Sequence, residues 1–275
     1  MDTYRRYHLW MTPTYLDDIV RYHRERARSD ERNWQDRLAV VHYTGPSMLD
    51  ALRAESNTNV KVIAEVKRRS PSKGWINEHL DAAQLAREYE VGGASAISVL
   101  TDSPHFSGSE EDFAQVRTAS SLPLLRKDFT VSANDVIDGA QMGASTVLLI
   151  VAALSDEELT LFHSVAELCG LDALVEVHDQ DEARRAVDLG ARIIGVNQRD
   201  LRTFDISPDG AASVIGSLPG NVVTVAESGL NSREGVERAG DAGFDAVLVG
   251  ESFVRSPDPA AAVRSFASVT KSQRG

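Results

Sequence analysis

Apolar residues in this chain fall into short aliphatic runs, separated by longer stretches in which they return every three or four positions. That is the pattern of buried strands alternating with amphipathic helices. Four runs begin alike: Gly93-Ala-Ser-Ala-Ile-Ser-Val-Leu, Gly143-Ala-Ser-Thr-Val-Leu-Leu-Ile, Gly190-Ala-Arg-Ile-Ile-Gly-Val and Gly243-Phe-Asp-Ala-Val-Leu-Val-Gly. Their spacing of about 50 residues marks an internal repeat. A glycine ahead of β-branched and aliphatic residues reads as a helix end followed by a buried parallel strand. A second apolar run lies within each repeat, at Val60 to Lys67, Leu122 to Lys127, Leu171 to Val177 and Asn221 to Glu227. Four repeats of two strand-helix units predict an α/β fold, a single (β/α)8 TIM barrel.

Helix starts are marked by a short polar residue with an acid three positions on. Ser109 with Asp112, Ser132 with Asp135, Ser155 with Glu158, Asp179 with Glu182 and Asn231 with Glu234 have this spacing. Pro208 and Pro257, after Ser207 and Ser256, fit prolines in a first helical turn. Residues 1–59 lack the strand rhythm and are read as an N-terminal helical extension, leaving 60–275 for the barrel. Two amphipathic stretches in the extension, Thr14 to Arg28 and Met48 to Glu55, predict helices, the first capped by Thr14 with Asp17. Met1 to Trp10 is aromatic and basic without a clear period.

A formal net charge of −12 argues against nucleic acid or an anionic membrane as partner, since both require a basic surface. The positive charge is concentrated at predicted strand ends: Lys67, Arg68, Arg69 and Lys73 after the first, Arg126 and Lys127 at the third, Arg199 and Arg202 after the sixth. This points to a small anionic ligand at one face, with Arg68, Arg69 and Arg202 read as solvated loop charges. Cys169 is the single cysteine, so no intrachain disulfide forms and a reducing compartment is expected. With no membrane-length apolar run and no signal-peptide core, a cytoplasmic protein is expected, a monomer or weak homodimer.

Alternation within the strands locates the chemistry, because residues of one parity point into the barrel and the last of them line its C-terminal mouth. Ile63, Glu65 and Lys67 share a parity, as do Leu125 and Lys127, Leu174 and Glu176, Gly195, Asn197 and Arg199, and Val225 and Glu227. Each run starts apolar and ends polar, and a buried charge is costly unless it is paired or used. One reading is an ionic ring that closes the barrel top. The other is an active site of acids, bases and anion-binding groups on the catalytic face of this fold. Ser228-Gly229 and Gly250-Glu251-Ser252, after strands seven and eight, lie where barrels commonly bind phosphate, and Ser70-Pro-Ser-Lys-Gly74 is placed to fold over the same ligand. The seven histidines are scattered with no metal-binding spacing, so no metal is expected. His178, near the mouth, reads as a supporting or loop group. No dinucleotide fingerprint is present, and the groups at the mouth require no cofactor.

The segment Ile63-Ala-Glu-Val-Lys-Arg-Arg-Ser-Pro-Ser-Lys-Gly74 resembles the signature of the indole-3-glycerol phosphate synthase family. The resemblance continues through Ala96-Ile-Ser-Val-Leu-Thr-Asp102, Phe106-Ser-Gly-Ser109, Leu125-Arg-Lys-Asp-Phe129, Leu174-Val-Glu-Val-His-Asp179, Gly195-Val-Asn-Gln-Arg-Asp-Leu201, Ala226-Glu-Ser-Gly229 and Leu248-Val-Gly-Glu-Ser252. It implies a tryptophan-biosynthesis lyase that closes 1-(2-carboxyphenylamino)-1-deoxyribulose 5-phosphate to indole-3-glycerol phosphate, losing CO2 and water. By that resemblance Lys127 is the general acid, Lys67 binds the substrate anion and protonates the departing hydroxyl, and Glu176 is the base. Glu65, Asn197 and Glu227 hold the lysines and the substrate hydroxyls. Phe106, Phe129, Leu148 and Ile150 would form an apolar slot for the anthranilate ring, and Arg199 or Lys67 would orient its carboxylate. Ser70, Ser228, Gly229, Gly250, Glu251 and Ser252 would hold the phosphate. The chain departs from the family pattern at Gln198, where a second Asn is usual, and at Trp75, where a smaller residue is common. Two rival readings are a Schiff-base aldolase using Lys127 as nucleophile and a catalytically silent barrel that binds a phosphorylated ligand.

Overall fold

The computed structural model describes residues 14–53, 58–71, 73–199 and 208–272. Its eight strands are β1 (Lys61–Val66), β2 (Ala96–Leu100), β3 (Leu124–Lys127), β4 (Thr146–Ile150), β5 (Asp172–Val177), β6 (Ile193–Asn197), β7 (Val223–Glu227) and β8 (Ala246–Val249). Each strand pairs in parallel with its sequence neighbours and β8 pairs with β1, so the sheet closes on itself. A short hairpin, Arg69–Ser70 against Gly74–Trp75, projects from the end of β1. The strands are shorter than the apolar runs because lead-in residues such as Leu171 and Val222 are buried against the helices without joining the ladder.

Among the described residues, three helices precede the barrel: α1 (Tyr15–Arg28), α2 (Trp34–Leu38) and α3 (Met48–Arg53). The barrel helices are α4 (Ala82–Gly92), α5 (Ser103–Phe106), α6 (Glu110–Ala119), α7 (Ala133–Met142), α8 (Asp156–Leu168), α9 (Gln180–Asp188), α10 (Pro208–Ile215), α11 (Arg233–Asp241), α12 (Glu251–Val254) and α13 (Pro259–Ala267). Gly93 and Gly143 end α4 and α7 in the left-handed conformation, which only glycine adopts without strain. The hydroxyls of Ser109, Ser132 and Ser155 cap α6, α7 and α8, and the Asp179 carboxylate caps α9. Two expected starts are displaced. Ser232, rather than Asn231, caps α11 by accepting from the Gly235 N–H. Asp258 caps α13 with Pro259, rather than Pro257, in the first turn; each shift moves the cap to the side chain that reaches a free first-turn N–H. The Ser207 position and Met1 to Trp10 lie outside the described residues, as does Arg202.

Strand alternation divides the core in two. Val62, Ile97, Val99, Leu149, Val175 and Val247 face outward against Tyr89, Phe113, Ile137, Phe162 and Phe253 on the helices. Ile63, Leu125, Leu148, Ile150, Leu174, Ile193, Val225 and Leu248 fill the interior. The lower end of this inner core is closed by Met48, Leu49 and Leu52 of α3. The Asp172 carboxylate at the start of β5 accepts from the Ser47 hydroxyl at 2.8 Å and the Leu49 N–H at 3.1 Å. The Ser47 hydroxyl in turn accepts from the Asp50 N–H at 3.1 Å, so a local hydroxyl and a distant carboxylate together satisfy the first turn of α3.

At the opposite end α1 lies against the mouth, fastened by charge. Arg24 forms a two-pronged pair with Glu158, at 2.6 and 2.8 Å, and Arg26 meets Asp135 at 2.6 Å, while Arg37 of the following α2 meets Asp138 at 2.5 Å. Leu52 is 2 % exposed, and its replacement leaves a void that the rigid strand ends cannot fill. Leu52→Ala is expected to lower unfolding stability by about 2–4 kcal/mol, read as a shift in the urea midpoint at unchanged slope.

Candidate active site

Inward parity brings six of the predicted side chains, Glu65, Lys67, Lys127, Glu176, Asn197 and Glu227, to one floor. Lys67 Nζ lies 2.5 Å from Glu65 Oε1, and Lys127 Nζ lies 3.6 Å from Glu176 Oε2. Asn197 Nδ2 donates to Glu176 Oε1 at 3.1 Å. Register does the alignment: Glu176 sits level with Ile150 and Gly195 on the flanking strands, and Asn197 level with Glu227. Above this floor opens a cavity of about 1130 Å³, open solvent at its mouth included.

The electrostatics follow from crowding three carboxylates around one ammonium. Burial pulls the Lys127 pKa down, but Glu176, Glu227 and Glu65 outweigh it and hold the ammonium above the ordinary lysine value. Burial pushes the Glu176 carboxyl up, yet Lys127, His178 and the Asn197 hydrogen bond bring it below the usual carboxylate range. Glu227 goes the other way. Burial, and then the neighbouring Glu176 charge, lift its pKa well above the ordinary value, so the two carboxyls are driven apart in proton affinity. His178 stands behind Glu176, with Nε2 3.6 Å from Oε1 and Nδ1 3.0 Å from Glu182.

Two glycines make the crowding possible. A Cβ on Gly195 would lie 1.9 Å from Glu227 Oε1, and one on Gly250 would lie 2.6 Å from Glu65 Oε1. At the end of β7, Ser228 and Gly229 both take positive φ, 65° and 74°, turning the chain sharply at the cavity wall. A serine held there is a local strain that the surrounding fold must offset.

Most of the residues expected at the mouth line this cavity: Glu65, Lys67, Ser70, Phe106, Lys127, Phe129, Ile150, Glu176, Asn197, Arg199, Glu227, Ser228, Gly229, Gly250 and Glu251. Leu148 does not; it lies two residues below Ile150 in the inner core. Nor does Ser252, whose Oγ is buried without a hydrogen-bond partner. The Glu251 carboxylate is paired with Lys73 at 3.0 Å and Arg255 at 3.2 Å, so an anion there would meet its backbone rather than its side chain. Two cations of the strand ends are structural. Arg126 points outward to the Asp135 carbonyl and Asp128, and Arg68 grips Asp112 through two hydrogen bonds. The solvated reading of Arg68 therefore gives way to a buried-side pair. Trp75 remains 48 % exposed on the hairpin.

No local pattern announces that Tyr15, Leu16 and Ile19 of α1 line the cavity, beside Pro71, Leu100, Leu230 and Asn231. The Thr14–Asp17 capping box announces the helix but carries no information about where it docks. Among the described residues, ligand-type side chains gather at His23, Asp102 and His105. The two imidazole nitrogens lie 2.8 and 3.0 Å from one Asp102 oxygen, shorter than the roughly 3.3 Å between ligands of a tetrahedral zinc; the spacing is that of hydrogen bonds. Also among the described residues, no helix is long and apolar enough to cross a membrane.

A carboxyl with a raised folded-state pKa binds its proton more tightly in the native protein than in the unfolded chain. It therefore costs stability above about pH 4.3, its unfolded value, and nothing below. Glu227→Gln is expected to raise the urea midpoint at pH 8 and leave it unchanged near pH 4.

Against this geometry stand the similarities to known proteins. The family model described as indole-3-glycerol phosphate synthase matches residues 16–266. The protein of that name from Koribacter versatilis is 42% identical over 251 residues, covering 91% of this chain and 96% of its own length. That from Micrococcus luteus is 45% identical over 257 residues, with coverage of 91% and 96%. Among solved structures, thiamine phosphate pyrophosphorylase from Pyrococcus furiosus superposes with a TM-score of 0.57 at 17% identity, over 76% of this chain and 94% of that one, a likeness of fold alone. With the family model spanning nearly the whole chain and full-length relatives above 40% identity, this chain belongs to the indole-3-glycerol phosphate synthase family.

Proposed function

We propose that the mouth of the barrel carries out the decarboxylating, dehydrating ring closure of 1-(2-carboxyphenylamino)-1-deoxyribulose 5-phosphate by acid-base catalysis from Lys127 and Glu176. The observation that carries this reading is the Lys127 ammonium standing among Glu176, Glu227 and Glu65 on the cavity floor, beside the phenyl rings of Phe106 and Phe129. Attack of the aryl carbon on the sugar ketone leaves a negative charge on the ketone oxygen. Lys127 delivers its proton there. An ammonium kept charged by three carboxylates holds the proton until a stronger base, the developing alkoxide, takes it.

Loss of CO2 then breaks the bond between the ring and its carboxylate and leaves its electrons in the ring system. Lys67 orients that carboxylate together with Arg199 and protonates the hydroxyl that departs as water. Glu176, ionised beside Asn197, accepts the proton released as the indole forms. Glu65 and Glu227 hold the lysines and the substrate hydroxyls. Phe106, Phe129 and Ile150 flank the anthranilate ring, while Ser70, the Ser228–Gly229 turn and the Gly250 backbone receive the phosphate. Gly250 opens α12 with no side-chain cap, which leaves backbone N–H groups for an anion. The scheme needs no cofactor, and a cytoplasmic setting fits a chain whose single cysteine is buried and unpaired.

Removing the acid without disturbing the subsites separates chemistry from binding. Lys127→Met is expected to lower kcat by about 10²–10⁴-fold with substrate affinity within about 5-fold of wild type, measured by single-turnover indole fluorescence and equilibrium binding. Gly195→Ala forces the Glu227 carboxyl aside, and a displacement near 1 Å is expected to lower kcat on the order of 10²-fold in a protein with wild-type circular dichroism.

A further inference from the structure

Asp102 follows β2 and has a fully buried side chain, 0% exposed. Its carboxylate joins two parts of the chain that the ring-closure scheme leaves unconnected. Oδ1 accepts from His23 Nε2 at 2.8 Å and from His105 Nδ1 at 3.0 Å. Oδ2 accepts the backbone N–H groups of His105 and Phe106, at 3.0 and 3.1 Å, capping α5. His23 belongs to α1, 79 residues earlier in the chain, and is 3 % exposed. Burial pushes the Asp102 pKa up, but the two imidazoles outweigh it and hold the carboxyl below its usual range. The hub is therefore a buried anion, and hydrogen bonds to a charge are the strong ones.

What the hub holds are the two phenyl rings at the cavity wall. Phe106 is fixed through its own N–H on Asp102. Phe129 is fixed from behind, its ring centroid 5.4 Å from that of His23 with the planes 30° apart, and it lies 6.2 Å from Phe106 at 35°. His23 itself does not line the cavity, whereas Ile19, one turn earlier on α1, does. We propose that His23 and Asp102 are positioning residues for the aromatic end of the substrate, setting the separation and tilt of Phe106 and Phe129 and so making arene binding depend on the docking of α1. This rests on the assignment of those rings to the anthranilate group.

The test uses the full chain and two probes, 2-aminobenzoate for the aromatic end and inorganic phosphate for the other. His23→Phe keeps a ring behind Phe129 and removes the donor to Asp102, while His23→Gln keeps a donor at similar reach. His23→Phe is expected to weaken 2-aminobenzoate by about 10-fold, the scale of one hydrogen bond to a buried charge, with phosphate affinity within about 2-fold of wild type and the loss in KM rather than kcat. His23→Gln is expected to recover most of the affinity. Should His23→Phe not fold, Asp102→Asn, which retains the cap of α5, is expected to give the same split between probes. Wild-type affinity for 2-aminobenzoate in these variants, or an equal loss for both probes, overturns the proposal. A wild-type protein that binds phosphate but not 2-aminobenzoate instead overturns the assignment of the aromatic slot, which separates the two failures.

Discussion

The energetic problem this molecule solves is the burial of charge at the top of an apolar barrel. Glu65, Glu176 and Glu227 are each nearly inaccessible, and an isolated buried carboxylate would cost several kcal/mol. Compensation comes from one ammonium at the centre, a second at Lys67 and an amide from Asn197. Every other feature of the mouth serves that arrangement. The strand register sets the residues level, and the missing side chains at Gly195 and Gly250 leave room for carboxylate oxygens. Groups so constrained are already oriented before any substrate arrives, which is where catalysis of this kind gains most.

The residues ahead of the barrel act at both of its ends. α3 plugs the inner core from below, its first turn capped by Asp172, and α1 forms part of the wall above, pinned by Asp102. Both pins are aspartates of the barrel that accept from several donors at once. An apolar interior open at its lower end would expose Ile63, Ile193 and Val223 to water, so the plug contributes through burial. The arginines of α1 and α2 contribute through ion pairs with Glu158, Asp135 and Asp138. Partly exposed pairs of this kind contribute modestly one by one, and they fix orientation more than they add stability.

The positive charges near the mouth divide by strand parity. Lys67 and Lys127 point inward and share the cavity with carboxylates. Arg126, one residue from Lys127, points outward and satisfies a carbonyl and Asp128, and Arg68 is held by Asp112. A run of basic residues at a strand end thus resolves into chemistry on one side and architecture on the other, and the acidic partners decide which is which.

The barrel was legible because its signals are local and periodic: glycine at helix ends, two-residue alternation in the strands, and hydroxyl caps with an acid three residues on. The same alternation identified the floor residues Glu65, Lys67, Lys127, Glu176, Asn197 and Glu227, since direction into a barrel follows from parity alone. Parity cannot measure depth, which is why Leu148 shares the direction of Ile150 yet lies beneath the cavity. Neither could local pattern show that Ser232 outcompetes Asn231 as a cap, a matter of which oxygen reaches the Gly235 N–H. The sequence by itself determined the eightfold repeat, the inward acids and bases, and the family. Only the tertiary structure decided that α1 would wall the site, that α3 would close the core, and that His23 would meet Asp102, because those contacts join segments far apart in the chain and depend on shape and charge complementarity that no local spacing encodes.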